Sequence, residues 1–171
     1  MASVLKVENI SHTNGTSALT IDSSGRILTP ARPVFRAYSS GSWTIATSTQ
    51  TIFPANVAVF NVGSGYNTGT YKFTAPVDGV YYFAGQFFAS VAATRAIASL
   101  YKNDIQNQDN MGSQSLHTGN THNGGISYAT HGLMQLDAGD TVSFYTYQES
   151  GSTVTANQSS NLSFWYGYLL G

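Results

Sequence analysis

The chain contains no cysteine. Disulfides, thiolate metal sites and thiol nucleophiles are thereby excluded, and the redox compartment is left open. Charge is scarce as well: 9% of residues are Asp, Glu, Lys or Arg, and the formal net charge is −1. Binding along a phosphate backbone needs clustered Lys and Arg, so no nucleic-acid partner is expected. No run of 18 apolar residues occurs, so no membrane insertion by a helix is expected. The opening residues, MASVLKVENISH, carry one lysine and lack the apolar stretch of a secretory signal, so export by that route is not expected either. Sustained 3.6-residue apolar periodicity is missing throughout, which argues against helices.

Catalytic patterns are missing too. There is no Gly-x-Ser-x-Gly elbow, no phosphate-binding Walker loop and no His-Glu-x-x-His. Gly63-x-Gly65 fails as a dinucleotide fingerprint because Thr68 stands at the third glycine. Asp137 and Asp140 could be read as paired carboxylates, but Ala138-Gly139 between them reads as a tight turn in which Asp side chains bond nearby N–H groups. No enzyme is expected. Of the four histidines, His117 and His122 sit in a Gly/Asn-rich stretch, Asp109 to Gly125, expected as an exposed loop, while His131 falls inside a strand. None of them, His12 included, has a His-x-His or adjacent carboxylate partner, so no metal site and no cofactor are expected.

What the chain does contain is β-structure. Gly69 to Ala84 reads GTYKFTAPVDGVYYFA, two aromatic and β-branched runs joined by Ala-Pro-Val-Asp-Gly, the turn chemistry of adjacent strands. Further strands are expected at Val34–Tyr38, Thr44–Thr47, Thr51–Asn61 (broken by Pro54), Gly125–Leu136, Thr141–Gln148, Val154–Ala156 and Leu162–Leu170, while periodicity alone does not decide between helix and strand over Ala92–Leu100. Roughly ten short strands with turns every 8 to 12 residues is the pattern of a sandwich or jelly roll. The last strand is the most informative. Trp165, Gly167 and Leu169 alternate with Phe164, Tyr166, Tyr168 and Leu170, so both faces are apolar or aromatic. One face can fill the core, and the other requires cover from a neighbouring chain.

"TGTYKFTAPVDGVYYF" resembles the signature of the globular head of complement component one-q, a jelly-roll family related to tumour necrosis factor. Its usual form is T-G-x-F-x-x-P-x-x-G-x-Y-x-F. The Gly-x-Phe spacing is longer here, Gly69-Thr70-Tyr71-Lys72-Phe73. "LYKND" at Leu100–Asp104, "LDAGDTVSF" at Leu136–Phe144 and "FWYGYLL" at Phe164–Leu170 follow in the family's order, and the resemblance covers Pro33 to Gly171. It implies a strand at Thr94–Tyr101 and a jelly-roll head whose last strand lies in the sheet facing a threefold axis, hence a homotrimer. Calcium binds some members, but the acidic residues here are too few and scattered to carry a site across.

Met1 to Arg32 forms a separate leader. Short β-prone pieces at Val4–Val7, Ala18–Ile21 and Arg26–Leu28 are separated by the turn pairs Asn14-Gly15 and Ser24-Gly25. "NGTSALTIDSSGRI" resembles segments of bacteriophage tail-fibre and virion proteins; the alternative is a disordered leader. Pro30 and Pro33 bracket the junction. Sequons at Asn9, Asn14, Asn157 and Asn161 read as chance products of a Ser/Thr-rich surface.

Together these readings give an extended leader or oligomerisation segment over 1–32 and a ten-stranded jelly-roll head over 33–171. The expected role is a trimeric phage fibre or fibre-tip head in the virion, assembled in the host cytoplasm. Expected partners are copies of itself, other virion proteins and a host-surface glycan or protein. The alternative is a secreted lectin-like recognition module of the same fold. Phe164, Trp165, Tyr166, Tyr168 and Leu170 are expected in the trimer interface or core. Trp43, Tyr66, Tyr101, Tyr147, His117 and His122 are candidates for a ligand-stacking surface.

Overall fold

The computed structural model describes residues 6–89, 95–105, 115–118, 125–157 and 160–171. The chain divides into two units, Met1–Arg32 and Pro33–Gly171. In the first, β1 (Asn9–Ser11), β2 (Ser17–Ile21) and β3 (Ile27–Leu28) form an antiparallel sheet in the order β1-β2-β3. Two glycines turn it, Gly15 at φ 86° and Gly25 at φ 76°, backbone angles that other residues rarely adopt. Asp22 secures the second turn. Its carboxylate accepts from the N–H groups of Ser24 and Arg26 and from Arg26 Nε at 2.7 Å. The first expected strand is displaced: Val7 is not in a strand, β1 begins at Asn9, and Val4 lies outside the described residues.

The second unit is all β. Its strands are β4 (Val34–Tyr38), β5 (Trp43–Ile45), β6 (Thr51–Ile52), β7 (Val57–Val62), β8 (Tyr66–Asn67), β9 (Lys72–Thr74) and β10 (Gly79–Ala89). They continue with β11 (Arg95–Lys102), β12 (Ser115–Thr118), β13 (Ile126–Leu136), β14 (Thr141–Gln148), β15 (Val154–Ala156) and β16 (Phe164–Leu169). Seven of them form one sheet, β5-β15-β10-β16-β4-β7, with β13 paired along the whole of β10; six form the other, β12-β11-β14-β9-β8, with β6 on β14. The layers pack as a jelly-roll sandwich.

Thirteen described strands replace the expected ten. Pro54 splits Thr51–Asn61 into β6 and β7, because it has no N–H to give the ladder. The two-residue β8 is too short to leave a sequence pattern. β12 lies in the stretch expected as a loop, and backbone pairing to β11 (His117 opposite Ala96) makes it strand despite its composition. The Gly69–Ala84 stretch is also corrected in one respect. Its two strands are consecutive but not paired: β9 joins β14 and β8, while β10 joins the opposite sheet, so the Pro76 turn is a corner between layers. The longer Gly69-to-Phe73 spacing is taken up before β9. Tyr71 sits at φ 63°, and Asn67 Oδ1 accepts from the N–H groups of Gly69 and Thr70.

Aromatic rings fill the space between the sheets. Trp165 on β16 is fully buried, edge-on to Phe35 at 4.7 Å and to Tyr66 at 5.4 Å, with its Nε1 donating to Tyr66 Oη at 3.4 Å. Phe83, Phe73 and Phe144 complete the cluster. Glycines make room for the rings. A methyl group on Gly167 would stand 2.2 Å from Phe83 Cδ1, and one on Gly85 would stand 3.0 Å from Trp165 Cβ. Gly167→Ala is therefore expected to destabilise the head by at least about 1–3 kcal/mol, the usual cost of overpacking a filled core; a denaturant melt checks this.

The Asp137–Asp140 stretch is a turn. Asp140 Oδ2 accepts from Asp137 N at 2.9 Å, Asp140 Oδ1 accepts from Asn103 Nδ2 at 2.8 Å, and Lys102 Nζ lies 2.5 Å from Asp140 Oδ2. The Lys102 ammonium, then Asn103 and the Asp137 N–H, lower the Asp140 pKa to about 2. The folded state thus favours the carboxylate. This contribution to stability is present in full above the ordinary Asp pKa of about 3.9 and is lost as pH falls through about 2. In denaturant melts between those two pH values, Asp140→Asn should show a flatter decline in stability than the parent chain.

Candidate self-association face

The side of the seven-stranded sheet turned away from the core is built from three rows running across five strands. Cross-strand register sets them. Val62, Val34, Tyr168, Tyr82 and Leu133 form one row. Phe60, Arg36, Tyr166, Ala84 and His131 form the next, and Val57, Tyr38, Phe164, Gln86 and Ala129 the third. A bulge between Arg36 and Ala37 leaves Val59 as the extra residue at the β7 edge.

Twelve of these fifteen positions are Val, Leu, Ala, Phe or Tyr, and the polar members are Arg36, His131 and Gln86 plus the tyrosine hydroxyls. Tyr82 stands between β16 and β13, 5.5 Å from the Tyr168 ring, 6.5 Å from Tyr166 and 6.4 Å from His131. Burial pushes its phenol above the ordinary pKa, and the neighbouring phenols of Tyr166 and Tyr168 add to the shift. The polar groups are tied down. Arg36 lies over the Phe164 ring at 4.8 Å and donates to Ser160 O at 2.9 Å, and Gln86 Nε2 donates to Leu162 O at 3.1 Å.

The two margins of the face differ in shape. At the β7 edge, Phe60 (44% exposed), Val59 and Val62 project. At the other side, small Ala84 between larger neighbours leaves a depression of about 240 Å³ lined by Tyr82, Gln86, His131, Phe164 and Tyr166. Leu133, 59% exposed, borders it on β13.

The last strand divides as its alternation requires. Trp165 and Gly167 face the core, whereas Phe164, Tyr166 and Tyr168 are half-buried on the outer face; Leu170 lies past the end of β16 and is exposed. Among the described residues, three members of the expected stacking surface stand elsewhere. Trp43, Tyr66 and Tyr101 are buried, which corrects their assignment to an exposed ligand face. Trp43 packs edge-on to Phe53 at 4.9 Å. Tyr66 sits in the Trp165 cluster with its hydroxyl donating to Ala55 O at 2.7 Å. Tyr101, 3% exposed, stacks on Tyr145 at 4.4 Å on the other sheet, and burial pushes its phenol up to about 12.

Tyr147 remains half-buried under Arg95, its hydroxyl donating to Glu149 Oε1 at 2.5 Å. His117 falls on β12, and His122 lies outside the described residues. Among the described residues, no group of three His, Cys, Asp or Glu is placed to hold a metal ion. Sequence reasoning passed over Tyr82, Arg36, Phe60 and Leu133. The alternation of β10 and β4 contained the signal, since Val34, Arg36 and Tyr38 keep the parity that pairs them with Tyr168, Tyr166 and Phe164.

The geometry is that of a jelly roll, and comparison agrees on the family. The C1q domain family model matches residues 34–170, and the chain belongs to that family. Among solved structures, murine APRIL is similar over 81% of this chain and 99% of its own, at 13% identity and a TM-score of 0.61. The globular domain of zebrafish complement 1qA protein aligns over 81% and 98% at 15% identity and a TM-score of 0.58. Eiger TNF from S. frugiperda aligns over 82% and 92% at 14% identity and a TM-score of 0.57. At such identities the likeness to these structures is one of fold.

Within the core, Tyr66→Phe removes the acceptor of Trp165 Nε1 and the donor to Ala55 O. A loss of about 1–3 kcal/mol is expected in a denaturant melt, the cost of leaving a buried polar group without its partner.

Proposed function

We propose that this chain is a trimeric structural protein of a phage virion, the head of a fibre or fibre tip. In this reading the head contributes to host-surface attachment, and the leader joins it to other virion proteins. The observation that carries the proposal is the aromatic and aliphatic face spread across β7, β4, β16, β10 and β13. Monomers seldom leave so continuous an apolar patch to water. Covering a half-exposed ring contributes about 1–2 kcal/mol, and this face offers Tyr82, Tyr166, Tyr168, Phe164 and Phe60 together.

The number three rests on the family. A face with projections at one margin and a depression at the other is complementary to a copy of itself, and where such a contact repeats around an axis it closes a ring. In the resembled family the corresponding sheet surrounds a threefold axis. The virion assignment rests on the leader run "NGTSALTIDSSGRI" and its likeness to fibre segments. It places the protein on an extracellular particle assembled in the host cytoplasm, acting by binding and not by catalysis. The partner at the host surface is a glycan or protein, met by a surface whose polarity is supplied mainly by neutral side chains.

Static light scattering of the full chain is expected to give three times the 18.2 kDa chain mass, and Tyr166→Arg or Leu133→Arg should lower it towards one. A monomeric parent chain would remove the trimer. For the virion role, mass spectrometry of purified particles should find the chain; recovery only from a free secreted fraction would favour the lectin-like alternative.

A further inference from the structure

The leader sheet has two unlike faces. Register sets Ile10 opposite Leu19 and Ile21 opposite Ile27, and Leu19 and Ile21 are two residues apart on β2. All four aliphatic side chains therefore stand on one face. The other face carries Asn9, Ala18, Thr20 and Leu28, with Thr20 Oγ1 donating to Asn9 Oδ1 at 3.0 Å. The aliphatic face is open: Ile10 is 50% exposed and Ile27 is 65% exposed. No described residue of this unit is buried. A segment below about 40 residues cannot ordinarily build a stable core alone, so a sheet with a bare aliphatic face needs an external partner.

We infer that this face is covered by the same face of the leaders of two further copies, so that the leader is a second self-association module in series with the head. The inference rests on the trimeric reading of the head, and the position of β4 links the two. β4 starts at Val34, just past the leader boundary, and Val34 belongs to the outermost row of the association face with Tyr168, Tyr82 and Leu133. Pro33 O accepts from Leu169 N at 3.0 Å, which fixes the start of the head to β16.

When three heads meet through that face, their three leaders begin beside the shared contact. Tethered in this way, each leader meets the others at an effective concentration on the order of millimolar. Four aliphatic side chains too few to associate as a free segment are then sufficient. Charge does not oppose the contact. Lys6, Arg26 and Arg32 stand against Glu8 and Asp22, and Arg26 and Asp22 pair within each chain at 2.7 Å.

Because the chain has no cysteine, single Ile27→Cys and Leu28→Cys variants of the full protein report the two faces separately. Each is weighed by light scattering, labelled with a maleimide and treated with a short bifunctional maleimide. The expected result is a trimeric mass for both variants, with Ile27→Cys cross-linking chains and reacting roughly tenfold more slowly than Leu28→Cys, as a covered site does. Equal labelling at a trimeric mass would overturn the leader contact and leave the head reading standing. Protection of Ile27→Cys without cross-links would also overturn it, by assigning the cover to the chain's own head. A monomeric mass removes the head reading and this inference with it.

Discussion

The head is organised by the burial demands of β16, a strand with ring-bearing residues on both sides. On the inner side Trp165 takes up the centre of the core and Gly167 gives way to Phe83, so the sandwich closes only with this strand in this register. A shift by one residue would drive Tyr166 into the core and turn Trp165 outwards. The outer side inherits Phe164, Tyr166 and Tyr168 as a consequence. Once they are fixed by the inner packing, the neighbours β10 and β4 extend them into a face that water alone leaves poorly satisfied.

The same logic explains where polar groups are placed. Arg36 is the one cation in the middle of the association face, and it is held over Phe164 and against Ser160 O, so that its charge is partly spent within the chain. The ion pairs gather at the far turns instead, where Asp140, Lys102 and Asn103 brace the Asp137 turn and Lys72 meets Asp104. Arg36 apart, the charges described in the head stand mainly where turns need order.

Much of the fold was legible because strand alternation is a local property. Val34–Tyr38, Thr141–Gln148 and Val154–Ala156 have the bounds that their patterns and turns require, and the double-sided last strand pointed to the association face. What was not legible depends on pairing across the chain. β12 is made by hydrogen bonds to β11 and not by its own residues. The Pro76 turn looks local yet passes between sheets. Trp43, Tyr66 and Tyr101 fall near strand ends, the usual place for exposed rings, but Phe53 closes on Trp43 from just past β6, and Trp165 and Tyr145 pack on Tyr66 and Tyr101 from sequence-distant strands. Conversely, Phe60 and Leu133 could not be joined to Tyr166 from sequence, since five strands must be set in register before they share a face.

The central claim is that the outer side of β16 and its neighbours is covered in the assembled protein. Hydroxyl-radical footprinting of the full chain in solution tests it residue by residue. The account predicts that Tyr166, Tyr168 and Leu133 are modified as slowly as core Trp165, while exposed Val77 reacts readily. Modification of Tyr166, Tyr168 and Leu133 at the pace of Val77 would contradict it.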